Sequence, residues 1–272
     1  MLKIFSNIIN YRDLIYILSW KEIIVRYKQS YLGLLWTILK PLGLMLIFTM
    51  VSGFVGIDTG KIPYPVLTFV ALVPWVFLQE SLSAGANSIV SNSSLIKKIY
   101  FPREVLPIVA VMTRFVELVV NMFIASLLMW YYSIEISINA LWVPLIVLYV
   151  FILSTCLSFV FSAVNVYYRD ITHIIPIFLS LLMYGSPIMY PLSLVYEALI
   201  VKQKAGRLSE ILYDIYLCNP VVGIIDGFQN VLLKQSSPQF EVMLPGIIFT
   251  AIISPFCYIL FKRAEKYFAD IV

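Results

Sequence analysis

Arg114 and Glu117 stand inside an otherwise apolar run, Val105–Tyr132, and interrupt its first half. Three positions apart, they share one face of a helix and can neutralise each other. A charge within a membrane span is costly and marks packing, gating or a substrate path. The pair therefore either seals helix packing or lines a route. A second chemical feature is YGSPIMYPLS, Tyr184–Ser193, where Pro187 and Pro191 break regular helix. Broken helix at membrane depth is tolerated against protein or a cavity. Ser186, Pro187, Tyr190 and Pro191 are accordingly candidate gate residues, the alternative being a plain helix terminus at the outer interface.

Other chemistries find no residues to carry them. No GxxxxGK[ST] loop is present, and Gly33, Gly43, Gly53 and Gly56 lie in or beside an apolar run without the required Lys–Ser/Thr. The chain does not hydrolyse ATP by that route. HExxH and GxSxG are absent, and no glycosidase-like carboxylate pair has a credible setting. Cys156, Cys218 and Cys257 are far apart and His173 is the sole histidine, which argues against a structural zinc site or a disulfide framework. The reading is thus no catalytic residue, no metal and no cofactor within this chain. A net charge of +4 without a clustered basic face points away from nucleic acid.

The elements that must position the candidate residues are membrane helices. Of the 272 residues 61% are hydrophobic and 12% charged, against about 25% charged in a soluble domain. Runs of about 20 apolar residues span a bilayer. Six are expected: Leu32–Phe54, Ile62–Gln79, Val105–Tyr132, Leu141–Tyr167, Ile171–Tyr190 and Val242–Phe261. The fold class is all-α integral membrane, in a single transmembrane domain over 1–272. Leu192–Leu233 reads as a long extramembrane or interfacial loop with short helices. With both termini in the cytoplasm, twelve Lys and Arg fall inside and five outside, while Lys40 and Arg114 lie within helices. The charged N-terminal stretch does not read as a cleaved signal.

Before the first span, Arg12, Ser19, Glu22, Arg26 and Gln29 form a polar stripe on a helical wheel, with apolar residues elsewhere. This is the pattern of a helix lying in the interface plane, residues 10–30, or of a cytoplasmic helix packed on a partner. The loop Ser81–Pro107 is small and polar, then basic at Lys97–Lys98, and fits a short cytoplasmic helix ending near Tyr100. It either transmits force from a soluble partner or simply connects. Glu80, Ser81, Ser83 and Asn87 form a weaker polar cluster that solvates a helix end. The abundant Tyr, Phe and Trp form an interfacial belt or line a passage for carbohydrate.

In order along the chain, RDLIYILSWKEIIVRYKQSYLGLLWTILKPL (Arg12–Leu42), LIKKIYFPREVLPI (Leu95–Ile108), NVYYRDI (Asn165–Ile171), SPIMYP (Ser186–Pro191) and Asn219–Pro220 resemble the transmembrane subunit of bacterial ABC-2 type polysaccharide exporters. This family exports O-antigen, capsule and teichoic acid, and the resemblance covers nearly the whole chain. It implies a six-span fold with an N-terminal interfacial helix, a cytoplasmic coupling helix over 88–100 and short re-entrant helices in the outer region 184–233. It implies a homodimer around a central passage, in the bacterial inner membrane, with two copies of a separate cytoplasmic ABC ATPase that use ATP and Mg. The cargo it implies is a lipid-linked polysaccharide, O-antigen on polyprenyl diphosphate first, with capsule and teichoic acid as competitors. Ser88, Leu95, Ile96, Lys97, Lys98 and Tyr100 would couple to the ATPase, and Arg26, Lys28 and Arg103 would contact lipid phosphate, unless they serve only the positive-inside bias. The readings from other classes are a glycolipid-modifying membrane enzyme, for which no acid or histidine cluster is visible, and a membrane scaffold.

Overall fold

The computed structural model describes residues 10–28, 33, 35–201 and 207–271. Gln29, at the end of the polar stripe, lies outside them. Helix α1, Arg12–Lys28, precedes the first long apolar helix α2, Leu35–Val55. Helix α3, Tyr64–Ser91, follows, and the six-residue α4, Ser93–Lys98, caps its far end. The next span is two helices, α5 (Val105–Thr113) and α6 (Phe115–Tyr131), meeting at Arg114. A 3-10 turn, Ile138–Trp142, leads into α7, Val143–Tyr167. Then come α8 (Ile171–Tyr184), α9 (Leu192–Tyr196), α10 (Arg207–Leu217), α11 (Pro220–Leu232), α12 (Phe240–Glu265) and α13 (Phe268–Ile271).

Among the described residues five helical stretches are long and apolar enough to cross a membrane: Leu35–Val55, Tyr64–Ser91, Val105–Tyr131, Ile138–Tyr167 and Phe240–Glu265. The protein is an all-α, multi-pass membrane protein. Two expectations change here. The fifth expected span, Ile171–Tyr190, is helical only to Tyr184. Its 14 residues reach about 21 Å, short of the roughly 30 Å hydrocarbon layer. The chain turns at Gly185–Ser186–Pro187 instead of continuing. Conversely, Leu192–Leu233 is not merely a loop. Leu208–Leu217 and Pro220–Leu232 bend by 76° and, taken together, are a sixth segment long and apolar enough to span. Arg207, Glu210 and Asp214 sit on α10 and dilute the apolar signal, yet α11 is buried along Val221–Leu232.

The longest correction concerns α3. It was expected to end at Gln79, with a loop from Ser81, but it runs on to Ser91. The polar residues in that stretch are small, and small residues let membrane helices approach closely. A Cβ built on Gly85 would lie 2.2 Å from Ser158 Oγ on α7. Ser158 Oγ donates to the Ser81 carbonyl at 3.4 Å, and Asn165 Nδ2 donates to the Ala86 carbonyl at 2.9 Å. Close contact and hydrogen bonds hold the lower half of α3 against α7, together with apolar packing of Ile89 on Phe159, Ala163 and Val166. Its upper half, Val66–Leu78, is buried on every side and forms the axis of the molecule.

Packing at the two ends differs. Near the chain termini, α1, α4, α13 and the ends of α3, α5, α7 and α12 share one apolar cluster, with Ile15, Ile96, Phe261 and Phe268 buried. At the opposite end, Leu192, Leu217, Val222 and Val242 form a smaller cluster under α9 and α10. Asn219 begins α11: its side-chain oxygen accepts from the Val221 amide at 3.1 Å, and Pro220 occupies the first turn.

Candidate functional site

A cavity of about 360 Å³ opens between α1, α2, α3 and α6, lined by Arg26, Trp36, Lys40, Glu80, Arg114 and Glu117, among others. Its charges come from four helices. Lys40 reaches from α2 to Glu80 on α3 at 2.6 Å. Arg114, at the junction of α5 and α6, pairs with Glu117 at 2.7 Å and with Glu80 at 3.6 Å. Arg26 on α1 reaches the same Glu117 oxygen at 3.0 Å. Three cations thus share two carboxylates, which leaves one net positive charge facing the cavity. Glu117 and Arg114 are largely buried, at 8% and 14% side-chain exposure. Pairing offsets their desolvation, and the surplus charge suits an anion. The Arg114 Nε has no hydrogen-bond partner.

Arg114 sits where the third span tightens for one turn. Helix α5 ends at Thr113 and α6 begins at Phe115, so Arg114 is a junction residue with its amide on the Val111 carbonyl. Its side chain turns towards α1 and α3. Glu22, one turn before Arg26 on α1, is half-buried, and burial pushes its carboxyl above the usual range against the pull of Arg26, Arg114 and Lys21.

The sequence-derived candidates separate into several places. Arg114 and Glu117 meet Arg26 in the cavity. Lys28 is exposed at the end of α1, and Arg103 lies elsewhere. Arg103 donates through its backbone amide to Glu265 Oε1 at 3.0 Å and through its guanidinium to the Glu265 carbonyl. Lys262 pairs with Glu104 and, at 2.7 Å, with Glu265, so this second ionic group fastens the end of α12 to the start of α5. Of the three candidate phosphate contacts, Arg26 and Arg103 line different cavities. Lys40, from its sequence position a charge within a helix, and Glu80, a member of the weaker polar cluster, also join the cavity. A lone Lys in an apolar span was the available signal.

Ser88 is buried within α3, where its hydroxyl donates to the Gly85 carbonyl at 2.6 Å. Leu95, Ile96, Lys97 and Lys98 belong to α4; Ile96 is buried and both lysines are exposed. Tyr100 projects fully outward after it. The 88–100 helix of the sequence reading is therefore two pieces, because Asn92 separates α3 from α4. Ser186, Pro187 and Pro191 are buried. Asn219 Nδ2 donates to Ser186 Oγ at 3.2 Å, so the SPIMYP turn and the Asn219–Pro220 helix start, distant in sequence, touch. Tyr64 donates to the Met189 carbonyl at 2.6 Å and Tyr190 to the Tyr184 carbonyl at 3.0 Å, pinning the same turn.

The ABC-2 type transporter family matches residues 13–233. The chain belongs to this family. Within it, the chain is similar to the O-antigen export system permease protein RfbA of Myxococcus xanthus, 27% identical over 271 residues and 99% of each chain. It is 29% identical over 258 residues to the O-antigen export system permease protein RfbA of Klebsiella pneumoniae, covering 93% of this chain and 94% of the relative. The polysialic acid transport protein KpsM of Escherichia coli is 28% identical over 181 residues, 63% of this chain and 67% of the relative. The matched family region contains the charged cavity and the Ser186–Asn219 contact. The chain is thus a multi-pass membrane protein of the ABC-2 transporter type. Among the described residues no group of three or more His, Cys, Asp or Glu is placed to hold a metal.

Proposed function

We propose that this chain is the permease half of an ATP-driven exporter that moves O-antigen on polyprenyl diphosphate across the bacterial inner membrane. The observation that carries the reading is the end-to-end similarity to O-antigen export permeases of two organisms, without large unmatched segments. Two copies pair around the passage, and two copies of a separate ABC ATPase, using ATP and Mg, dock on the cytoplasmic side. Both chain termini face the cytoplasm. In this arrangement residues 10–30 lie in the interface plane, Lys97, Lys98 and Tyr100 meet the ATPase as the exposed part of the 88–100 region, and 184–233 forms the outer gate and re-entrant region.

The charged cavity gives the reading its chemistry. A diphosphate headgroup needs cations at the membrane edge, and Arg26, Lys40 and Arg114 surround a space with net positive charge. A headgroup entering there competes with Glu80 and Glu117 for the same cations, so binding would loosen the ties among α1, α2, α3 and α6. Lys28 and Arg103 act beside this site, not in it. A second reading, a capsule glycan on another lipid, rests on the similarity to the polysialic acid transport protein.

Reconstitution with the ATPase decides between them. ATP-dependent arrival of glycan on the far side is expected with O-antigen on polyprenyl diphosphate. No arrival with that cargo, but arrival with a capsule glycolipid, selects the second reading. No arrival with either overturns the export reading. Charge reversal at Lys97 and Lys98 should weaken ATPase stimulation; unchanged stimulation would remove them from the docking surface.

A further inference from the structure

The end of the bundle away from the charged cavity carries another pair of cavities, of about 320 and 310 Å³, that share Ser193 and Lys234. The first has an apolar floor of Leu192, Leu217 and Val242. Tyr196 and Tyr213 wall it, with ring centroids 5.5 Å apart and edge to face. Asp226, Gln239 and Glu241 stand around these surfaces. The second cavity continues past Pro191 to Asp58, Thr59 and Glu197.

Asp226 decides what kind of ligand fits. Its side chain is almost wholly buried, at 2% exposure, yet it lines the cavity. Asn230 donates to its Oδ2 at 2.7 Å, and the charge of Lys234, which lines the same cavity, attracts the carboxylate. A carboxylate accepts several hydrogen bonds, and the one direct donor seen among the described residues leaves room for further donors from whatever occupies the cavity. An apolar ligand supplies none. An anion meets Asp226 and Glu241, with Glu197 in the adjoining cavity. A metal cation meets the ammonium of Lys234, and no three metal-ligating residues converge among the described residues. A neutral polyhydroxyl ligand satisfies every wall: hydroxyls donate to the carboxylates and Gln239, while an apolar ring face lies on the tyrosines.

We propose that these adjoining cavities are an outer groove that binds the sugar units of the passing glycan, with Tyr196 as the stacking platform and Asp226 and Glu241 as hydroxyl acceptors. The inference rests on the export reading and adds a contact for the cargo's carbohydrate part, apart from the cationic cavity for its lipid phosphate. Two adjoining cavities suit an extended chain of sugars better than one ring.

Saturation-transfer NMR on the full-length chain in lipid nanodiscs tests it. The probe is a set of short oligosaccharides, a few repeat units long, freed by mild acid from the surface glycan of cells that express this chain. Transfer to the sugar C–H protons is expected with the native chain. It should fall about fivefold in Tyr196→Ala and in Glu241→Gln, both of which alter exposed side chains, and stay unchanged in Tyr131→Ala on α6. No transfer with the native chain, or equal transfer in all four proteins, overturns the groove. A parallel export assay separates the two ideas. If the native chain exports and both groove variants bind oligosaccharide normally, the groove fails while the export reading stands. If the native chain does not export, the export reading fails on its own.

Discussion

Helices α2 and α3 are neighbours of similar apolarity, with mean hydropathy of 1.9 and 1.5 in their best windows, and they live in opposite surroundings. The upper half of α3 has no exposed face, and Phe69 is fully covered. On α2, Leu46, Ile47, Met50 and Phe54 point away from the protein, with Phe54 at 87% exposure. Hydropathy measures whether a segment enters lipid; it says nothing about which segment becomes the axis. Lipid is as apolar as leucine, so the choice falls to small residues and hydrogen bonds. Helix α3 has Ser81, Gly85 and Ser88 on its lower half, whereas α2 offers Lys40 as its polar link.

The contrast can be broken most directly by paired truncations. Phe69→Ala should cost about 3 kcal/mol by opening a cavity, while Phe54→Ala should stay within about 0.5 kcal/mol; unfolding of the purified protein in mixed micelles reads both. An equal cost would mean that a second copy covers the outer face of α2. Next in size, Gly85→Val forces α3 away from Ser158 and should cost about 2 kcal/mol, whereas Gly53→Val on α2, where an added Cβ meets nothing within 4 Å, should cost much less. Lys40→Met removes the ionic tie between the helices. Both partners are partly solvated, so the loss should be at most about 1 kcal/mol. Accelerated proteolysis near α2 with an intact α3 would be its sign.

The smallest effect is a pH dependence on α1, which rests against the same cavity. The folded-state pKa of Glu22 is raised, chiefly by burial. Its contribution to stability is therefore fully present below the unfolded value, near 4.5, and is lost as pH rises through the folded value. Glu22→Gln should stabilise the protein slightly at neutral pH and match the native chain near pH 4. A destabilisation at neutral pH would show that the attraction to Arg26 and Arg114 outweighs burial.

Much of the scaffold was legible from residue order. The start of the third span, the chain turn before α8 and the proline-rich stop all leave local marks, as apolar run, charge pair and Pro spacing. The Arg114–Glu117 pairing was legible because i and i+3 lie on one helix face. The extension of α3 was not. Its serines and glycine read as a loop in isolation, and only the matching Ser158 and Asn165 on α7 make them an interface. The arrival of Arg26 and Lys40 at the same cavity depends on helix rotation, which a pattern of charges does not encode. The tie of Arg103 to Glu265, 162 residues later, was equally hidden. Helix α11 was hidden by an equally distant fact, since its buried Asp226, Gln229 and Asn230 look like solvent-facing residues until α3 and α12 enclose them.

The joint at Arg114 also has a mechanical meaning. Arg114 keeps right-handed helical backbone angles and its carbonyl still accepts the Leu118 amide at 3.1 Å, so α5 and α6 run on as one span whose ladder is tightened at the joint. Helix α1 lies along α5, below the joint, while the aromatic ring of Phe115, just above it, is wedged between Phe77 and Phe151. The lower part of the span is thus braced by α1 and the upper part by two aromatic rings. The joint is stayed like a mast from both sides, and the shared carboxylate of Glu117 is the lashing that ties it to α1 through Arg26.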